Sequence, residues 1–135
     1  MSHYAGPSLY AQPLILNAFC GGAALSAPAG LWMGLYTTEP DAADANGVEI
    51  ATDTYVRQPV TLGAWSSGTR ASTADIFFPT AGASWGTIVA FGLWDAVSSG
   101  HLWFRGSCTS TAITINQRYE VLATYLTIGL AYKVT

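Results

Sequence analysis

The sequence predicts an all-β protein, an antiparallel jelly roll or β-sandwich of about eight strands with one short N-terminal helix. Two observations carry that prediction. After Leu31 the chain runs in short stretches rich in β-branched and aromatic residues, punctuated by Gly, Pro, Asn and Ser. No helical pattern lies between those stretches, so the parallel crossovers of an α/β fold have nothing to run through.

Taken in order, residues 1–12 read as an extended arm carrying Tyr4, Pro7 and Tyr10 and no Asp, Glu, Lys or Arg. Residues 13–135 form a single domain, the size one core can serve. Pro13–Cys20 reads as the helix, with Pro at a first helical position and Gly21-Gly22 as the stop. It is apolar nearly all round, which predicts burial against a sheet or a neighbour. Strands are expected near Leu31–Thr38, Thr54–Leu62, Ala71–Phe78, Thr87–Trp94, His101–Cys108, Ala112–Ile115 and Glu120–Val134. The last is long enough to be two strands or one bent at Gly129. Pro59 cannot donate to a ladder, so its strand should lie at an edge or carry a bulge. Arg57 has Glu49 as a possible partner that would hold the intervening loop down.

The stretch FGLWDAVSSGHLWFRG, Phe91 to Gly106, reads as a hairpin turning at Val97-Ser98-Ser99-Gly100. Its arms are apolar on both sides of the pleat. Simple alternation puts Leu102 and Phe104 on one face and Trp103 with Arg105 on the other. A surface hairpin should alternate apolar with polar. One face therefore belongs to the core, and the other is expected to lie under another subunit or the N-terminal segment.

Composition narrows the function. Charged residues are 10% of the chain, against an ordinary share of roughly 25%. So little charge on so small a domain predicts that a partner covers much of the surface, and a stable oligomer in solution. A net charge of −3 and five dispersed basic residues exclude the basic patch that nucleic acid requires. No segment reaches membrane-spanning length. Met1-Ser2-His3-Tyr4 has no basic region leading into an apolar core, so no secretory signal is expected. Cys20 and Cys108 have no metal spacing and read as buried free thiols.

Three features raise a chemical question. The loop Glu39–Glu49, with Asp53, holds five of the eight acids. Asp41, Asp44, Asn46 and Gly47 faintly suggest a calcium loop, but the spacing departs from the EF-hand pattern and the alanines suggest a solvated acidic tip. Asp95, Ser99 and His101 share one hairpin, where a nucleophile and base are rarely held side by side with an oxyanion hole. No catalytic residue, metal or cofactor is expected. The tryptophans Trp32, Trp65, Trp85, Trp94 and Trp103 could stack sugars, but they more readily fill a core or an interface.

Leu31-Trp32-Met33-Gly34-Leu35-Tyr36-Thr37-Thr38 leads into the acidic loop ending Gly47-Val48-Glu49, followed by Tyr55-Val56-Arg57-Gln58-Pro59-Val60. Ile76-Phe77-Phe78-Pro79, Trp85-Gly86-Thr87-Ile88, Phe91-Gly92-Leu93-Trp94-Asp95-Ala96 and Gly100-His101-Leu102-Trp103-Phe104 complete the series. In this order the chain, from about Leu31 onward, resembles a family of small virion proteins of tailed bacteriophages. Its members are often labelled tail-fibre-like, and some are capsid cement or decoration proteins. The resemblance implies a β jelly roll without enzymatic activity. It leads to the expectation of a cement protein made in the host bacterial cytoplasm and placed on the capsid surface of the virion. Its partners would be the major capsid protein and itself, as a homodimer first and a trimer second. Tyr4, Tyr10, Trp94 and Trp103 are the candidate partner contacts. The alternative is a tail-fibre or baseplate module that binds a host-surface glycan.

Overall fold

The computed structural model describes residues 6–52 and 54–129. The chain is an all-β antiparallel sandwich with one helix, as the composition predicts. Its elements run β1 (Gly6–Pro7), α1 (Ala11–Cys20), β2 (Leu31–Thr38), β3 (Val48–Glu49), β4 (Gln58–Val60), β5 (Thr69–Ala71), β6 (Ile76–Phe77), β7 (Gly86–Trp94), β8 (Leu102–Ile113), β9 (Glu120–Val121) and β10 (Thr127–Gly129). The large sheet has the order β1-β8-β7-β2-β3, with β4 also paired to β2. Two ribbons, β5–β10 and β6–β9, form the second layer.

The core lies between these layers. Met33, Leu35, Ile88 and Leu93 of the sheet meet Ile76, Phe78, Trp85 and Leu126, all nearly inaccessible. Pro59 sits where it is tolerated, on the short edge strand β4 opposite Trp32. Cys20 and Cys108 are free, but their expected burial is corrected: Cys20, at the end of the outward-facing helix, is exposed and Cys108 is half-buried.

Several boundaries differ from the sequence expectation, each for a local reason. The Thr-rich run after Cys108 does not break the strand, because β7 pairs with β8 as far as Gly86↔Ile113. Residues 54–57 leave the ladder, since Tyr55 and Arg57 are committed to side-chain bonds described below. The long C-terminal stretch is two separate strands, β9 and β10. The predicted continuation to Val134 lies outside the described residues.

The helix starts inside the expected arm. Ser8 is buried and bridges the approach: its backbone N–H donates to Trp103 O at 2.8 Å, and its hydroxyl donates to Leu102 O at 2.5 Å. The same hydroxyl accepts the Ala11 N–H, supplying one bond that the first helical turn cannot make for itself. Gly6 and Pro7 pair with Arg105 and Phe104. At the other end Gly21 and Ala23 donate to Asn17 O, and Gly22 takes a left-handed φ of +70°. Burial of the helix is a correction: Ala11 is covered, but Leu14, Leu16 and Phe19 are exposed.

Candidate functional site

The register divides the large sheet into two faces. Opposite the core face lie Trp32, Gly34 and Tyr36 of β2, Gly92 and Trp94 of β7, and Arg105 of β8. Leu102 joins this second face. A bulge at Trp103 pairs Leu102 with Trp94 and Phe104 with Leu93, so the two residues point to opposite sides. Their expected shared face is thereby corrected.

What covers the second face is the chain itself. The acidic loop between β2 and β3 folds back over it. Arg105, 2% exposed, donates from Nε to Asp44 Oδ1 and from Nη1 to Pro40 O at 3.0 Å, and Nη2 reaches Asp41 O. Asp44 also accepts the Leu9 backbone N–H, tying loop to N-terminal segment. The loop is thus a clamp, and only its outer residues are in water. Asp41 accepts N–H bonds from Ala43 and Ala45 and the Asn46 amide. Those bonds, the Ala45 N–H foremost, hold its carboxyl below the usual carboxylate range. The carboxylate oxygens that suggested calcium ligation are engaged elsewhere, those of Asp41 by the turn and those of Asp44 by Arg105 and Leu9. Among the described residues no cluster of three or more His, Cys, Asp or Glu side chains is placed to hold a metal.

A second clamp lies beside it. Arg57 is buried and meets Glu49 through two parallel bonds, Nε–Oε1 and Nη2–Oε2, both 2.8 Å. Its Nη1 donates to the carbonyls of Ala96 and Ser99 in the hairpin turn, at 3.1 and 2.7 Å. The guanidinium lies 3.8 Å from the Trp94 ring centroid. Burial alone would lower the Arg57 pKa; the Glu49 carboxylate outweighs it and keeps the charge in place. Tyr55 fills the gap between β3 and β4, accepting Leu35 N–H at 2.9 Å and donating to Glu49 Oε1 at 2.7 Å. Burial first, then the Glu49 charge, pushes the Tyr36 and Tyr55 hydroxyls far upward, so both stay neutral. The Arg57–Glu49 pair was legible in the sequence; the Arg105–Asp44 pair, 61 residues apart, was not.

The predicted contact residues are placed as follows. Trp103 is 6% exposed; its indole donates to Asp95 Oδ2 at 3.2 Å and its ring meets Tyr10 edge-on. Trp94 is half-buried beneath Arg57. Tyr10 is half-exposed and stacks on His101 with ring centroids 4.1 Å apart. Tyr4 lies outside the described residues. His101 and Asp95 do approach, Nδ1 to Oδ2 at 3.3 Å, but the carboxylate also caps the hairpin through the His101 N–H. The Ser99 carbonyl is engaged by Arg57.

Two of the concavities among the described residues border these clamps and the helix. A cleft of about 520 Å³ lies between Tyr10, His101, Trp94, Tyr36 and the acidic loop. A groove of about 500 Å³ lies between α1 and the β5–β10 ribbon, lined by Ile15, Phe19, Leu31, Leu62, Trp65 and Ile128 among others. The sequence reading missed this groove. Its signal was the helix that is apolar on every side.

The architecture is that of a small β-sandwich closed by internal clamps, with an apolar face left open. The chain belongs to the family of the podophage GP4 fiber I protein gp80, whose profile matches residues 6–129. It is therefore a bacteriophage virion protein with a structural role. The match begins well before Leu31 and takes in the N-terminal segment. None of the curated proteins compared matches the chain.

Proposed function

We propose that this protein is an architectural subunit of a phage fibre, without enzymatic activity, assembling with itself and with other fibre components. The observation that carries this reading is the fibre family's match over residues 6–129. It takes precedence over the capsid cement expected from the sequence, which had no feature naming the head rather than the tail. The side chains favour a building block over a receptor-binding tip. Of five tryptophans only Trp65 is exposed. Trp85 and Trp103 are buried, and Trp94 has a guanidinium on its ring. A stacking platform for sugars favours several open aromatic faces side by side, and among the tryptophans Trp65 alone is exposed.

Cryo-electron microscopy of intact particles, with the chain carrying a C-terminal tag bound by a labelled fragment, tests the location. Density on the fibres is expected. Density on the head lattice would replace this reading with the cement one.

A further inference from the structure

We propose that α1 and the groove beside it form the contact between two copies of this chain, packed about a two-fold axis. This goes beyond the fibre assignment and holds whether the copies sit on a fibre or on the head.

The helix presents Ala11, Gln12, Ile15 and Ala18 inward, the spacing of one helical face. Its outer side is apolar as well. Leu16 is 60% exposed and Phe19 79%, while Trp65 across the groove is 72% exposed. An aromatic side chain carries about 150–250 Å², so these three residues offer on the order of 400 Å² of apolar surface per copy. That is about half of the roughly 800 Å² each partner gives to a stable interface, in the part that must be driest.

Charge distribution points to a second copy as the occupant. The chain carries −3 overall, so two copies repel wherever their acids meet. Among the described residues no acid lines the groove, and α1 contains no charged residue. The one charge among the described residues of the groove, Arg70, donates to the Gly63 carbonyl within its own chain. A ridge formed by the helix thus stands beside a groove whose described lining holds no acid. Two copies related by a two-fold axis place each ridge in the other's groove, the self-complementary arrangement a closed dimer requires. A basic partner would find no carboxylate to pair with among the described residues of the groove.

Sedimentation of the full-length chain at micromolar concentration should give a dimer. Leu16→Asp and Trp65→Asp should each weaken association by about tenfold or more, the loss expected from one apolar side chain of a dry contact. Ile115→Asp, at an exposed site in the turn after β8, should leave it unchanged. Hydrogen exchange of the unsubstituted chain should show residues 11–20 and 62–70 gaining protection as concentration rises, a readout independent of how any variant folds. A monomeric wild-type chain would overturn the proposal and assign the face to a different protein. So would a dimer that Ile115→Asp disrupts as strongly as Leu16→Asp, or one that shields other segments.

Discussion

The two faces of the central sheet are both covered, by opposite means. On one, aliphatic and aromatic side chains of β2 and β7 meet two ribbons in a dry core. On the other, two buried arginines hold a loop and a hairpin turn against glycines and aromatics. The first cover is non-directional and scales with area. The second depends on particular bonds, because a buried cation that loses its partner has no water to turn to. A strand pair that is apolar on both sides does not therefore require a second subunit. It requires a cover, and a loop pinned by ions supplies one. The low charge of the chain is consistent with this: two of its five basic residues are spent inside it.

The comparison breaks most visibly at its extremes. Phe78→Ala on the core side, at a side chain 1% exposed, should cost about 3–5 kcal/mol in chemical denaturation. Arg105→Met on the loop side should cost a similar amount, about 3–5 kcal/mol, because Asp44 is left partly buried and unpaired. The two differ in how they can be repaired. Adding Asp44→Asn to Arg105→Met should recover part of the loss, since Asn keeps the left-handed backbone at φ 56° and an acceptor for Leu9. Strict additivity of the two substitutions would show that the clamp is not a coupled pair.

Packing density gives a finer distinction. At Gly34 an added Cβ would lie 2.6 Å from Glu49 Oε1 and 3.2 Å from both Trp94 Nε1 and the Tyr55 hydroxyl. Gly34→Ala should therefore cost about 1–3 kcal/mol, the range for overfilling a tight site. A neutral result in the same denaturation assay would mean that the polar side is loose and the clamp yields.

How far the sequence foretold this follows from the range of each interaction. Strands β2 and β7 were legible because each is a long run of apolar and aromatic residues, a local signal that shows without knowing which strand it pairs with. The edge position of Pro59 followed from its missing donor, and the Arg57–Glu49 pair from closeness in the chain. Strands β1 and β3 were not legible: each is two residues long, too short for a pattern of its own, and β1 is fixed by a strand almost a hundred residues away, as its Gly6–Arg105 and Pro7–Phe104 pairs show. The bulge at Trp103 was equally hidden, since alternation alone gives no sign of an extra residue. The acidic loop misled for the same reason. Its partner, Arg105, lies 61 positions away from Asp44, and composition alone made a clamp look like a solvated tip.

The smallest effect, and the one that separates the faces most directly, is their response to acid. Asp95 accepts the His101 N–H and the Trp103 indole N–H. Burial pushes its carboxyl upward, but those donors, with the His101 side chain, outweigh burial and leave it below the ordinary range. A carboxylate depressed in the folded state binds fewer protons there than in the unfolded chain, whose Asp titrates near about 3.9. Its contribution is thus fully present above that value and is lost as pH falls through the lower, folded one. Asp95→Asn should melt below the wild type at neutral pH, and the gap should close as the pH drops below about 4. Phe78→Ala involves no titrating group, so its gap should stay nearly constant across the same range. Melting temperatures of the three chains between neutral pH and about pH 3 decide the matter. Parallel curves for Asp95→Asn and wild type would mean that Asp95 does not stabilise the hairpin through its charge.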